Sequence, residues 1–204
     1  MPLPNRVQPT GELLAHPARG MFMGNRGRLH RPDRSLTARV CTTTAWVACV
    51  LCFRGRQRQV WGNSYTELFF HDEAVALAAG HRPCAECRRA DYRRFQAAWS
   101  AAHHEAGTAP AMNARMHADR RDGRAQRRHT AALGSLPDGA FVLAQAGPAL
   151  WWGGALHPFT PAGYLAPVPA DPGAAATVLT PGCTVATLRA GYRPILAGLN
   201  RIPR

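Results

Sequence analysis

Lysine is absent from this chain: all 25 basic residues among its 204 are arginine. Isoleucine occurs only twice. Both scarcities fit GC-rich coding. Such coding does not deplete Asp or Glu, yet acidic residues number only 12 and the formal charge is +13. No apolar run approaches the roughly 18 residues of a membrane-crossing helix. Residues 1–20 hold Pro2, Pro4, Pro9, Pro17 and two glycines. They lack the apolar centre of a secretory signal, so a cytoplasmic protein with reduced thiols is expected. Repeats, heptads and low-complexity tracts are missing. So are paired carboxylates, a nucleophile elbow and a histidine metal motif, which argues against a hydrolase or nuclease using His71, His81 or His117 as base.

What is present suits a folded, basic protein. Hydrophobic residues make up 46% and charged residues 18%, enough apolar surface for a core. The charge is uneven: residues 1–129 hold 21 Arg against 10 acids, and residues 130–204 hold 4 against 2. A one-sided excess of this size favours an anionic partner, nucleic acid first, and no membrane is expected.

Four of the six cysteines form two Cys-x-x-Cys pairs, Cys49/Cys52 and Cys84/Cys87. A two-residue spacing lets both sulfurs reach one ion at about 2.3 Å, and two such pairs complete a tetrahedral four-sulfur zinc site. A thioredoxin-like setting, which a redox use would need, surrounds neither pair. Cys41 and Cys183 read as packing residues. One feature weighs against Cys52. Residues 45–53 read as a strand, and period two would then turn Cys49 and Cys52 to opposite faces unless the chain bends between them.

Residues 1–36 read as an irregular arm, in which Gly20, Gly24 and Gly27 with Arg19, Arg26, Arg28 and Arg31 form turns or a phosphate cradle. RGRQR turns the chain after the first strand, and QVWGN is expected to return as a hairpin partner. A second strand is expected at 65–70. Asp72 then caps a short helix that Gly80 stops. The HRPCAEC turn opens a second helix over 88–102, with Tyr92, Phe95, Trp99 and Ala102 on its apolar face. Arg88, Arg89, Arg93 and Arg94 lie off that stripe, a surface for phosphate contacts or a solvated face. A third helix is expected over 111–121, carrying Met112 and Met116. The tract 115–129 holds six Arg and two Asp. It reads as a backbone-binding surface or an interdomain loop. Beyond residue 130, short apolar runs alternate with Pro and Gly turns, giving strands near 140–145, 149–152 and 155–159. A Thr-capped helix follows at 184–190.

Residues 68–91, LFFHDEAVALAAGHRPCAECRRAD, resemble the metal-binding domain of the Ada-type DNA alkylation-repair proteins. The matching positions are Phe70, Glu73, Ala74, Leu77, Ala78, Ala79, Gly80, Arg82, Pro83, Cys84 and Cys87, and the likeness extends over about residues 45–91. The resemblance implies one zinc on Cys49, Cys52, Cys84 and Cys87. It implies Cys49 as the stoichiometric acceptor of a methyl group from a DNA phosphotriester. Arg82, Arg88, Arg89, Arg93 and Arg94 would then hold nucleic acid. The tandem helix-turn-helix and the Pro-Cys-His-Arg repair motif of that family are absent.

The expected architecture is α+β: a small mixed sheet with two or three helices around a cysteine zinc knuckle, followed by a β-rich part. Residues 1–129 form the basic, Ada-like metal-binding domain with its arm, and residues 130–204 the β-rich region. The alternative function is a non-catalytic structural zinc domain joined to a partner-binding β-module.

Overall fold

The mixed sheet expected from the strand and helix pattern is built from six short strands. The computed structural model describes residues 1–57 and 59–199. In chain order the strands are β1 (Pro4–Val7), β2 (Leu13–Ala15), β3 (Phe22–Asn25), β4 (Val47–Val50), β5 (Leu68–Phe70) and β6 (Arg82–Pro83). They lie side by side as β2-β1-β5-β3-β4-β6. β1 and β5 run parallel, as do β4 and β6, and the other pairs are antiparallel. The supposed arm therefore supplies half of this sheet. Alternation reveals why: Asn5 and Val7 are buried while Pro4 and Arg6 are half-buried. Prolines hid a strand that is only four residues long. The expected QVWGN hairpin strand does not form. Residues 60–65 are turn and bend, held where the Trp61 amide donates to the Glu67 carboxylate at 2.7 Å.

Helix α1 (Glu73–Ala78) starts where expected, because the Asp72 side chain accepts the Val75 amide at 3.0 Å. Gly80 follows at φ +83, a left-handed turn that a side chain resists. Helix α2 (Arg89–His103) buries Phe95, Ala98 and Trp99. Helix α3 (Ala109–Arg120) begins at a Thr108 cap and buries Met112 and Met116.

A small hairpin of β7 (Arg121–Asp122) and β8 (Ala125–Gln126) leads to the second sheet. That sheet contains β9 (His129–Ala132), β10 (Ala140–Ala144), β11 (Gly147–Trp152), β12 (Ala155–Thr160), β13 (Gly163–Tyr164), β14 (Val168–Pro169) and β15 (Ala175–Val178). β10, β11 and β12 form an antiparallel meander, as the apolar runs between glycine turns suggest. Helix α4 (Gly182–Arg189) is the last helix among the described residues. Its first turn is capped from outside: Asp119 on α3 accepts the Cys183 amide at 2.6 Å.

The core crosses residue 130. One buried cluster joins Val7, Phe22, Leu68 and Phe70 to Phe141, Leu150, Leu179 and Leu196. A second joins Phe95, Trp99 and Met112 to Cys183, Leu188 and Tyr192. The fold is α+β, with the cysteine turn between β6 and α2.

Candidate metal centre

Backbone pairing of β4 with β6 brings the two cysteine segments together. Val47 aligns with Arg82 and Ala48 with Pro83. The Cys84 amide donates to the Ala48 carbonyl at 3.0 Å, one residue before Cys49. Pro83 fits here because β6 is an edge strand, where the missing N–H costs no ladder bond. The Arg88 amide then donates to the Cys84 carbonyl at 3.1 Å, curling the chain so that Cys87 returns toward Cys84.

The sulfurs of Cys49, Cys84 and Cys87 all lie within 4.8 Å of one another, and all three residues are half-buried. Tetrahedral zinc–sulfur bonds of about 2.3 Å put sulfurs about 3.8 Å apart, so this group fits such an ion. The thiols titrate as one set. Cys84 falls far below the ordinary thiol range, because Cys49 and Cys87 hydrogen-bond to it and the amides of Cys87 and Glu86 support its thiolate. Cys49 rises far above that range through its bonds to Cys84 and Cys87, with burial adding to the shift. At Cys87 the bond to Cys49 and the Val50 amide pull down, but the bond to Cys84, burial and the nearby Cys84 charge win, and the thiol is raised. Crowded sulfurs resist carrying more than one negative charge, and a cation among them would let the others ionise.

Cys52 is not part of this group. β4 ends at Val50, and Cys52 sits exposed on the following segment, as period two warned. That segment is tied to the cysteine turn through Arg56, which pairs with Glu86 at 2.7 Å. Cys183 is buried and Cys41 half-buried, and neither joins the cluster.

The five nominated arginines separate into two sets. Arg82 and Arg88 are buried, which corrects their assignment to a nucleic-acid surface. Arg82 donates to Asn113 Oδ1 at 2.9 Å and to the Pro83 carbonyl. Arg88 bonds Glu73 at 2.8 Å and Asp91 at 2.7 Å and lies over the Phe22 ring. Both fix the turn that carries Cys84 and Cys87. Arg89, Arg93 and Arg94 are exposed on α2, directly after that turn. Arg94 pairs with Asp91, whereas Arg89 and Arg93 have no ion pair among the described residues.

Sequence reasoning missed a second polar centre. Arg26 and Arg120 both lie over Trp46, with guanidinium carbons 4.3 Å and 3.9 Å from the ring centroid, and His81 packs beside it at 5.1 Å. Arg26 belongs to the glycine-rich stretch and Arg120 to the basic tract 115–129. Each stretch was visible as basic, but nothing in the chain's order announced that they meet across Trp46.

No protein-family model, curated protein or solved structure matches this chain. No helix among the described residues is long and apolar enough to cross a membrane.

Proposed function

We propose that this protein binds one zinc ion through Cys49, Cys84 and Cys87 and works on nucleic acid, in the manner that its likeness to the Ada metal-binding domain implies. The single observation carrying this reading is the convergence of three sulfurs from two distant segments, with backbone amides aimed at two of them. Cys52 is the residue best placed in sequence to supply a fourth ligand. Zinc supplies the positive charge that keeps several adjacent thiols deprotonated at neutral pH.

A Cys49 thiolate can act as a nucleophile toward a methyl carbon of a DNA phosphotriester. The sulfur–carbon bond forms as the carbon–oxygen bond breaks, the phosphodiester leaves as an anion, and no proton is exchanged. The product thioether does not turn over, so the reaction is stoichiometric. Exposed Arg89 and Arg93 supply backbone contacts beside the centre.

The test has two stages. Native mass spectrometry of the full chain should show one zinc, lost or weakened by Cys49→Ser, Cys84→Ser and Cys87→Ser. Retention in Cys52→Ser would leave three sulfurs as the protein's share. Incubation with methylphosphotriester DNA should then place one methyl group on Cys49 by peptide mapping. Zinc without methylation would favour the purely structural centre. Metal-free protein under reducing conditions would end the reading.

A further inference from the structure

A cleft of about 910 Å³ opens on the side of the first sheet where Trp46 enters β4. Its lining carries six arginines, Arg26, Arg39, Arg120, Arg121, Arg124 and Arg128, against one carboxylate, Glu12. None of the six forms an ion pair among the described residues. Neutral carbonyls hold four of them instead. Arg26 donates to Gly11 O at 2.8 Å, Arg120 to Gly80 O at 3.0 Å and to Thr44 O at 2.8 Å, Arg121 to Gly123 O and Arg124 to Ala38 O.

The two innermost guanidiniums are incompletely satisfied. Arg26 and Arg120 are each 2% exposed, yet Arg26 Nη2 and Arg120 Nε have no hydrogen-bond partner. Burial, then Arg120 and Arg121, lowers Arg26 to about 9, so it stays a cation at neutral pH. Two buried cations stacked on one indole with no carboxylate paired to either are costly. Folded chains retain such an arrangement where an anion completes it. Guanidinium forks match phosphate oxygens in several geometries at once, and a dianion offsets more of this charge than a carboxylate does. The volume lies near the upper end of the range of small-molecule sites, about 300–1,000 Å³. Leu13, Leu29 and Leu36 give the cleft an apolar wall for the remainder of a ligand.

We propose that this cleft binds a phosphomonoester of nucleotide size, its phosphoryl group seated at Arg26 and Arg120 and ringed by Arg39, Arg121, Arg124 and Arg128. The phosphoryl group can belong to a free mononucleotide or to the 5′ end of a nucleic-acid strand. This site is separate from the sulfur group and does not depend on the metal reading. Trp46 borders the cleft, and Cys49 lies three residues further along the same run.

Calorimetric titration of the full chain at fixed salt tests it. The probes are adenosine, adenosine 5′-monophosphate, inorganic phosphate, and a single-stranded oligonucleotide with and without a 5′-phosphate. The monophosphate should bind and adenosine should not. Arg39→Gln and Arg124→Gln, both exposed and outside the core, should each weaken it about tenfold. Arg189→Gln, elsewhere on the surface, should leave it unchanged. Stronger binding of the 5′-phosphorylated strand than of the monophosphate would assign the site to strand ends. The reverse would assign it to the free nucleotide. Failure of every phosphorylated monomer to bind, with the two oligonucleotides binding equally, would overturn the proposal and leave a diffuse basic surface. Equal binding of adenosine and its monophosphate would overturn it as well.

Discussion

At the scale of single residues, burial decides which charged groups remain available. His81 has no exposed surface and sits between Trp46 and Phe70, with Arg26 Nε 3.5 Å from its Nε2. Burial first, then the charges of Arg26 and Arg120, push its pKa well below the usual imidazole value. The unfolded chain then takes up the proton first. Stability from this residue is complete above about pH 6.5 and declines as pH falls, by up to about 1.4 kcal/mol per unit. Urea unfolding in excess zinc should show this decline in the native chain. His81→Gln should remove that part of the slope, and parallel curves for the two proteins would refute it. Arg88 illustrates the same selection from the other side. It is as basic in sequence as Arg89, but its guanidinium lies against Glu73 in the core. The 1% exposure of both side chains makes this a buried pair. Arg88→Met should cost about 3–5 kcal/mol in denaturant unfolding, because Glu73 would keep its charge without its cation. The double change Arg88→Met with Glu73→Gln should recover part of that loss.

At the scale of elements, two short parallel strands join two polar centres. β4 and β6 carry Trp46 and His81 at the end facing the arginines, and Cys49 and Cys84 at the other. The stop after α1 matters to both. Gly80 adopts φ +83, and an added Cβ would lie 2.6 Å from Arg120 Cδ. Arg120 cannot easily yield, since Gly80 O and Thr44 O both hold it. Gly80→Ala should therefore destabilise the fold by at least about 1–2 kcal/mol, read as a lower urea midpoint. It should also weaken nucleotide binding by displacing Arg120. α1 was legible from its Asp72 cap and Gly80 stop, α2 and α3 from apolar residues at helical spacing, and the β10–β12 meander from apolar runs between glycine turns. β1, β2 and β6 were not, since two to four residues with prolines carry little periodicity and form only against a neighbouring strand.

At the scale of the whole molecule, residues far apart in sequence share one interior. Asp72, the cap of α1, also accepts from Tyr164 Oη at 2.7 Å and from the Ala197 amide at 3.2 Å. Glu73 accepts from Tyr192 Oη at 2.6 Å and from the Ile195 amide at 2.8 Å. Such ties, with core clusters drawn from both sides of residue 130, predict one cooperative unfolding transition. Tryptophan fluorescence and far-ultraviolet circular dichroism should give coincident curves, and two separated transitions would show independent units. If the Cys49–Cys84–Cys87 group holds zinc as proposed, removing the ion should lower stability without dividing that transition. Zinc present at a thousand times its dissociation constant contributes about 4 kcal/mol, so chelation should shift the urea midpoint downward.

The order of residues by itself determined the α+β class, the Asp72 cap and Gly80 stop of α1, and the Cys84–Cys87 turn, because these depend on neighbours within a few positions, whereas the Thr cap expected for α4 gave way to Asp119 reaching over from α3. It also exposed the imbalance of charge. Tertiary structure decided which cysteines meet, since a strand that ends at Val50 carries Cys49 to the β6 turn and leaves Cys52 in solvent. It decided that Arg82 and Arg88 serve the interior, and that Arg26 and Arg120 converge on Trp46. Those outcomes rest on pairing between segments tens of residues apart, where burial and the match of charges, rather than local preference, select the partner.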